Sequence, residues 1–192
     1  MSENKLIETI QNEKAVFFDR MDACRQLGTI GSKKSIAPLA ALLHGDERLA
    51  HMARYGLQTN PDSAVDEVLR KAMDGAKGRN LMGIMHSLGE RRDTNSIDLI
   101  AKHLGSPDKE VSGYAAKALG QIGTQKAFDA LLDVYRDGGI NDRAGLYEGI
   151  LRCANKFEKS DKQTALRIYE KLQKGNAPDY VKFGAKASAK RI

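Results

Sequence analysis

The sequence predicts an all-α protein, a right-handed α-solenoid of about five helical hairpins with a terminal half repeat. Two observations carry that reading. Leu27, Leu57, Leu88, Leu119 and Ile150 end the first half of successive repeats at steps of 30, 31, 31 and 31 residues, and near-equal steps of this length mark stacked supersecondary units. Within each repeat the apolar residues fall at helical spacing, and no strand-like alternation competes with it. One hairpin of this size leaves an apolar face bare, so neighbours must stack to bury it.

The repeat that begins near Ser106 is the most readable. Ser106 is the expected N-cap, Pro107 suits the first helical position, and Asp108 complements the positive helix end. Val111, Ala115, Leu119 and Ile122 then define one helix face. Gly120 and Gly123 are assigned to the helix C-terminus, Thr124 to the cap of the second helix, and Phe128, Leu131, Leu132 and Tyr135 to its apolar stripe. "SAVD" from Ser63 and "SDKQ" from Ser160 read as capping-box starts of two further second helices. The final stretch "VKFGAKASAKRI" repeats "VSGYAAKALGQI" of residues 111–122. It is expected to be a first helix without its second, with several of Val181, Phe183, Ala185, Ala189 and Ile192 packing back on the fifth repeat. The expectation is one domain over 1–192, whose last helix either caps the stack imperfectly or is the cut edge of a longer protein with covalently linked further domains, the cut being favoured.

Apolar residues make up 41% of the chain and charged residues 29%, ordinary values for a folded protein. No apolar run reaches membrane length. "MSENKLIETIQNEK" lacks the basic start and apolar stretch of a signal peptide. A cytoplasmic setting is expected, or a periplasmic or envelope one if the segment derives from an exported parent. Cys24 and Cys153 lie in separate apolar-periodic segments and read as small buried hydrophobes. The net charge of +6 is uneven: residues 1–151 hold 20 Lys and Arg against 21 Asp and Glu, residues 152–192 hold 11 against 4. A basic end of this kind can contact a polyanion.

"LGTIGSKKSIAPLAALL", "LGERRDTNSIDLIAKHL" and "LGQIGTQKAFDALLDVY" resemble bacterial HEAT repeats of the short kind also found in phycobilin lyase subunits. The resemblance covers roughly residues 20–175 and implies the solenoid fold. Two repeats depart from it: the second has "LQTNPD" where the others have glycine, and the fifth has the longer, glycine-free "ILRCANKFEKSD". Similar blocks occur within larger bacterial envelope and sugar-active proteins, which implies a module of a larger chain.

No catalytic constellation stands out, and no cofactor or metal is expected. His44, His51, His86 and His103 lack metal-site spacing, and His86 reads as a partly buried core imidazole. "MDGAKGRN" at 73–80 lacks the ending of a phosphate-binding loop and reads as a turn between repeats. Asp46, Glu47, Asp66 and Glu67 sit at helix starts, where they complement the dipole. The turns within the hairpins are expected on one edge, and Lys33, Lys34, Arg91, Arg92, Lys126, Lys156 and Lys159 form a candidate basic ridge for an anionic partner. The second helices are expected to line the inner curve with Glu67, Lys71, Asp98, Lys102, Asp129, Asp133 and Arg136, a mixed-charge surface suited to protein partners.

The leading functional expectation is a non-catalytic scaffold that binds a protein partner of unknown identity. Nucleic-acid binding, as in helical-repeat DNA glycosylases, is the first alternative, but Trp is absent and Phe128 and Tyr135 are committed to the core. A chromophore lyase-like subunit is the second, implied by the resemblance alone.

Overall fold

Twelve α-helices account for the regular structure. The computed structural model describes residues 1–192 in two units, Met1–Arg91 and Arg92–Ile192. The N-terminal unit holds α1 (Glu3–Gln11), α2 (Phe17–Ile30), α3 (Lys33–Ala40), α4 (Glu47–Thr59), α5 (Ala64–Ala72) and α6 (Gly78–Glu90). The C-terminal unit opens with a 3-10 turn, Thr94–Ser96, followed by α7 (Ile97–Ala101) and α8 (Lys109–Ile122). It continues with α9 (Gln125–Asp137), α10 (Arg143–Ser160), α11 (Lys162–Lys174) and α12 (Asp179–Arg191).

Hairpins follow in order within each unit, α2–α3 and α4–α5 in the first and α8–α9 and α10–α11 in the second, while α6 closes the first unit and α7 opens the second. This is the repeated architecture of an α-solenoid. The alignment residues Leu27, Leu57, Leu88, Leu119 and Ile150 are all buried, none more than 2% exposed. Helix α12 is the expected half repeat and packs on α11. Its Val181 and Ala185 are buried, whereas Phe183 points to solvent.

The spacing did not reveal α1, which is a second half repeat at the other end. Leu6 and Ile10 are fully buried, and α1 packs on α2 and α3. Polar bonds hold both of its ends. The Ser32 amide and hydroxyl donate to the Glu3 carboxylate at 2.6 and 2.9 Å, and the Arg20 guanidinium donates to the Ile10 carbonyl at 2.9 Å.

At several helix starts a carboxylate, not the hydroxyl the sequence suggested, accepts from the first amides. Asp108, not Ser106, is the N-cap of α8 and accepts from the amides of Glu110 and Val111. Asp62 rather than Ser63 receives the Ala64 amide, at 2.8 Å, and Asp161 rather than Ser160 receives that of Thr164, at 3.1 Å. In each case a carboxylate displaces a hydroxyl, because its charge also favours the positive end of the helix. Gly123 does close α8, with φ +69°, and Thr124 caps α9 as expected.

Gly120 has a different role from the one its position suggested. It lies inside α8, where an added Cβ would overlap the backbone of Gly149 on α10. The same relation recurs: the residue after one alignment position meets the residue before the next. Gly28 faces Gly56 across α2 and α4. At α4 and α6 the pair is Gln58 and Ser87, whose hydroxyl donates to the Gln58 side-chain carbonyl at 2.7 Å. First helices therefore meet either through bare backbone or through one buried hydrogen bond.

Candidate functional site

Arg91 does not belong to a ridge. It ends α6, and its guanidinium pairs with Asp66 while donating to the carbonyls of Gln58, Asn60 and Asp62. With its side chain only 11% exposed, it is a clamp on the α4–α5 turn, because five fixed donors suit several carbonyls at once. That turn is tied on its other side, where the buried Asn60 amide donates to the Gly31 and Ser32 carbonyls at 3.3 and 3.2 Å.

The other ridge candidates are exposed or half-buried and partly engaged. Lys33 and Lys34 are exposed in the first turn of α3. In the C-terminal unit Arg92 is exposed with φ +54°, Lys126 pairs with Asp98 at 2.6 Å, and Lys159 is exposed. Lys156 is half-buried, its alkyl stem lying over Gly123. The inner-curve candidates are all exposed, yet most neutralise one another. Glu67 pairs with Lys71 at 2.7 Å, Asp133 with Arg136 at 3.7 Å, and Asp129 accepts from Gln125 at 2.7 Å.

A groove of about 590 Å³ lies between α9 and α11, in the size range of ligand sites. Gln125 and Phe128 form one wall, and Thr164, Arg167, Ile168, Glu170, Lys171, Lys174 and Gly175 form the other. In the N-terminal unit the second helices α3 and α5 pack directly on each other. Here α10 intervenes. Helix α8 stops three residues past Leu119, but α10 runs ten residues past Ile150, and seven extra residues are two turns, about 10 Å. Phe157 on that extension packs edge-on against Phe128, with ring centroids 6.3 Å apart. The extension also fixes α11: Tyr169, fully buried, donates its hydroxyl to Glu158 at 2.5 Å with Asn155 Oδ1 at 2.7 Å. Burial and Glu158 together raise the Tyr169 pKa. Arg191 of α12 joins Glu158 at 3.2 Å.

The floor of the groove is apolar, since Phe128 and Ile168 are buried at its base. Its α11 wall is cationic. Lys174 pairs with Glu170 at 2.7 Å, while Arg167 and Lys171 are exposed and Lys171 carries no ion pair. Thr164, through its hydroxyl and amide, holds Asp161 below the usual carboxylate range.

Arg167, Lys171 and Lys174 escaped the sequence reading, although a usable signal existed. Glu67 and Lys71, Asp98 and Lys102, and Asp129 and Asp133 lie ten and fourteen residues past their alignment positions. Once the seven-residue extension of α10 is removed, Arg167 and Lys171 occupy those two positions in the fifth repeat. The buried residues confirm the register, Val65, Leu69 and Ala72 corresponding to Ala165, Tyr169 and Leu172.

The remaining candidates are structural. Burial pushes the Cys24 and Cys153 thiols up to about 12, so neither is a thiolate at neutral pH. His86 is exposed rather than partly buried, as are His44 and His51, while His103 is half-buried with its pKa lowered by burial. Residues 73–77 join α5 to α6 as a turn, and Asp46 caps α4.

The fold and the comparisons define the class, an α-solenoid repeat protein. Residues 67–148 match a family model described as HEAT repeats. A designed armadillo repeat protein is similar in structure, with a TM-score of 0.51 over 98% of this chain and 99% of that one, at 15% sequence identity. Among curated proteins there is no sequence match.

Proposed function

We propose that the chain is a protein-interaction scaffold that acts by binding rather than catalysis, with the exposed faces of its second helices as the binding surface. The α9–α11 groove is the observation that carries this reading. It offers an apolar floor and one charged wall between two helices, the combination by which concave repeat surfaces hold partner segments. The likeness of residues 67–148 to HEAT repeats supports it, and the two unreactive thiols are consistent with it. The Leu-Gly-x-Ile-Gly turns at 27–31 and 119–123 support the bacterial, phycobilin-lyase-like subtype of repeat. In the same proposal the two units belong to one domain of a longer, cytoplasmic protein.

Site-directed photocrosslinking tests this reading. A photoreactive residue replacing Lys171 on α11 is expected to capture protein in cells that express the native chain. One replacing Tyr114, on the first helix α8, is expected to capture little. Equal capture at both positions, or adducts with nucleic acid in place of protein, would overturn the proposal.

A further inference from the structure

We infer that the α9–α11 groove takes an acidic, extended segment of the partner, one that sets an apolar side chain on Phe128 and Ile168 and its carboxylates against Arg167 and Lys171. The inference rests on the scaffold reading and adds the chemistry of the partner.

Three observations converge. The first is charge: the α11 wall of the groove belongs to residues 152–192, which carry 11 cations against 4 anions, and Lys171 faces the groove without a paired carboxylate. Acidic groups of α9 do not cancel it, since Asp129 and Asp133 are engaged with Gln125 and Arg136 and neither lines the groove.

The second is spacing. Arg167 and Lys171 are four residues apart on one helix, an axial separation of about 6 Å. Alternate residues of an extended chain are separated by about 6.6 Å and point to the same side. Two carboxylates at alternate positions therefore meet the two cations in register, and Arg167 can take its carboxylate bidentately.

The third observation discriminates against the other polyanion. Single-stranded nucleic acid binds through exposed aromatic faces on which bases stack. The one aromatic lining this groove, Phe128, is 7% exposed and edge-packed by Phe157, so it can floor an aliphatic side chain but offers no stacking platform.

The test is selection of displayed random peptides of about a dozen residues on the full chain, followed by anisotropy titration of the selected peptides. Each is titrated against native protein, against R167E with K171E, and against K33E with K34E, which makes the same charge change in the N-terminal unit. All four substituted residues are exposed, and unchanged thermal midpoints confirm folding. The expected result is peptides enriched in Asp and Glu around an apolar residue, weakened at least about tenfold by the α11 pair and less than about twofold by the α3 pair, one order of magnitude being 1.4 kcal/mol. Acidic peptides weakened equally by both pairs would reduce the effect to general attraction and overturn the groove assignment. Neutral or basic peptides lost on α11 substitution would overturn the acidic chemistry and leave the scaffold reading intact. No selected peptide, with an oligothymidine bound instead and lost in R167E with K171E, would overturn both.

Discussion

The N-terminal unit and the C-terminal unit write the same repeat and join it differently. In the first, α1, α3 and α5 pack in direct succession, and the turns are chained by buried polar groups, Asn60 to the turn before it and Arg91 to the Asn60 turn. In the second, the first helices α8 and α10 approach through bare backbone at Gly120 and Gly149, as α2 and α4 do at Gly28 and Gly56, but with a second such pair, Gly113 and Gly145, further along. There the second helices α9 and α11 part around a groove. A repeat with fixed core positions can thus be either a closed layer or an open one. The length of one first helix decides which: two added turns on α10 move the start of α11, and Phe157 on those turns packs against Phe128.

The comparison breaks first where the units are meant to be alike. Leu88→Ala in the N-terminal unit and Leu119→Ala in the C-terminal unit remove equally buried side chains, and each should cost about 2–5 kcal/mol in denaturant unfolding. A loss below about half a kilocalorie at either position would show that the shared register is wrong.

The next largest effect separates two equivalent positions given the same substituent. Gly120→Val drives a branched side chain into the Gly149 backbone, which has no rotamer with which to yield, and should cost about 3 kcal/mol. Gln58→Val at the matching joint only deprives the buried Ser87 hydroxyl of its acceptor, at about 1–2 kcal/mol. Equal losses would mean that the two joints do not differ as described.

The turn edges give the smaller contrast. Arg91→Met leaves Asp66 and three carbonyls without their donor and should destabilise the chain by about 2 kcal/mol. Lys126→Met breaks an exposed pair with Asp98, its members 61% and 72% exposed, and should change stability by less than about 1 kcal/mol. Urea unfolding of both variants checks the order, and a larger effect at Lys126 would reverse the assignment of clamp and ridge.

The features visible in the sequence were those fixed locally or by repetition. Leu27, Leu57, Leu88, Leu119 and Ile150 were found because a period repeats a signal five times, and Gly123 and Thr124 because turn chemistry is local. The features that escaped depend on partners distant in sequence. Gly120 resembles a helix terminator until Gly149 is placed against it, and Arg91 resembles a surface cation until the α4–α5 turn folds under it. Helix α1 was missed because it has no preceding first helix with which to form a spaced pair. The groove is not legible in the composition: the long, glycine-free "ILRCANKFEKSD" departs from the other repeats, but only the folded length of α10 shows the seven-residue shift of register that puts Arg167 and Lys171 in the row begun by Glu67 and Lys71.

Whether the long α10 parts α9 from α11 where α3 and α5 remain closed is open to a direct distance measurement. Ala37 and Lys71 on α3 and α5 are the repeat equivalents of Asp129 and Lys171 on α9 and α11, and all four are exposed. The native thiols do not interfere, because burial holds Cys24 and Cys153 protonated up to about 12. Spin labels on cysteines introduced at each pair, read by double electron–electron resonance, should give a 129–171 separation several ångströms longer than the 37–71 separation. Equal separations, or a shorter one at 129–171, would contradict the account.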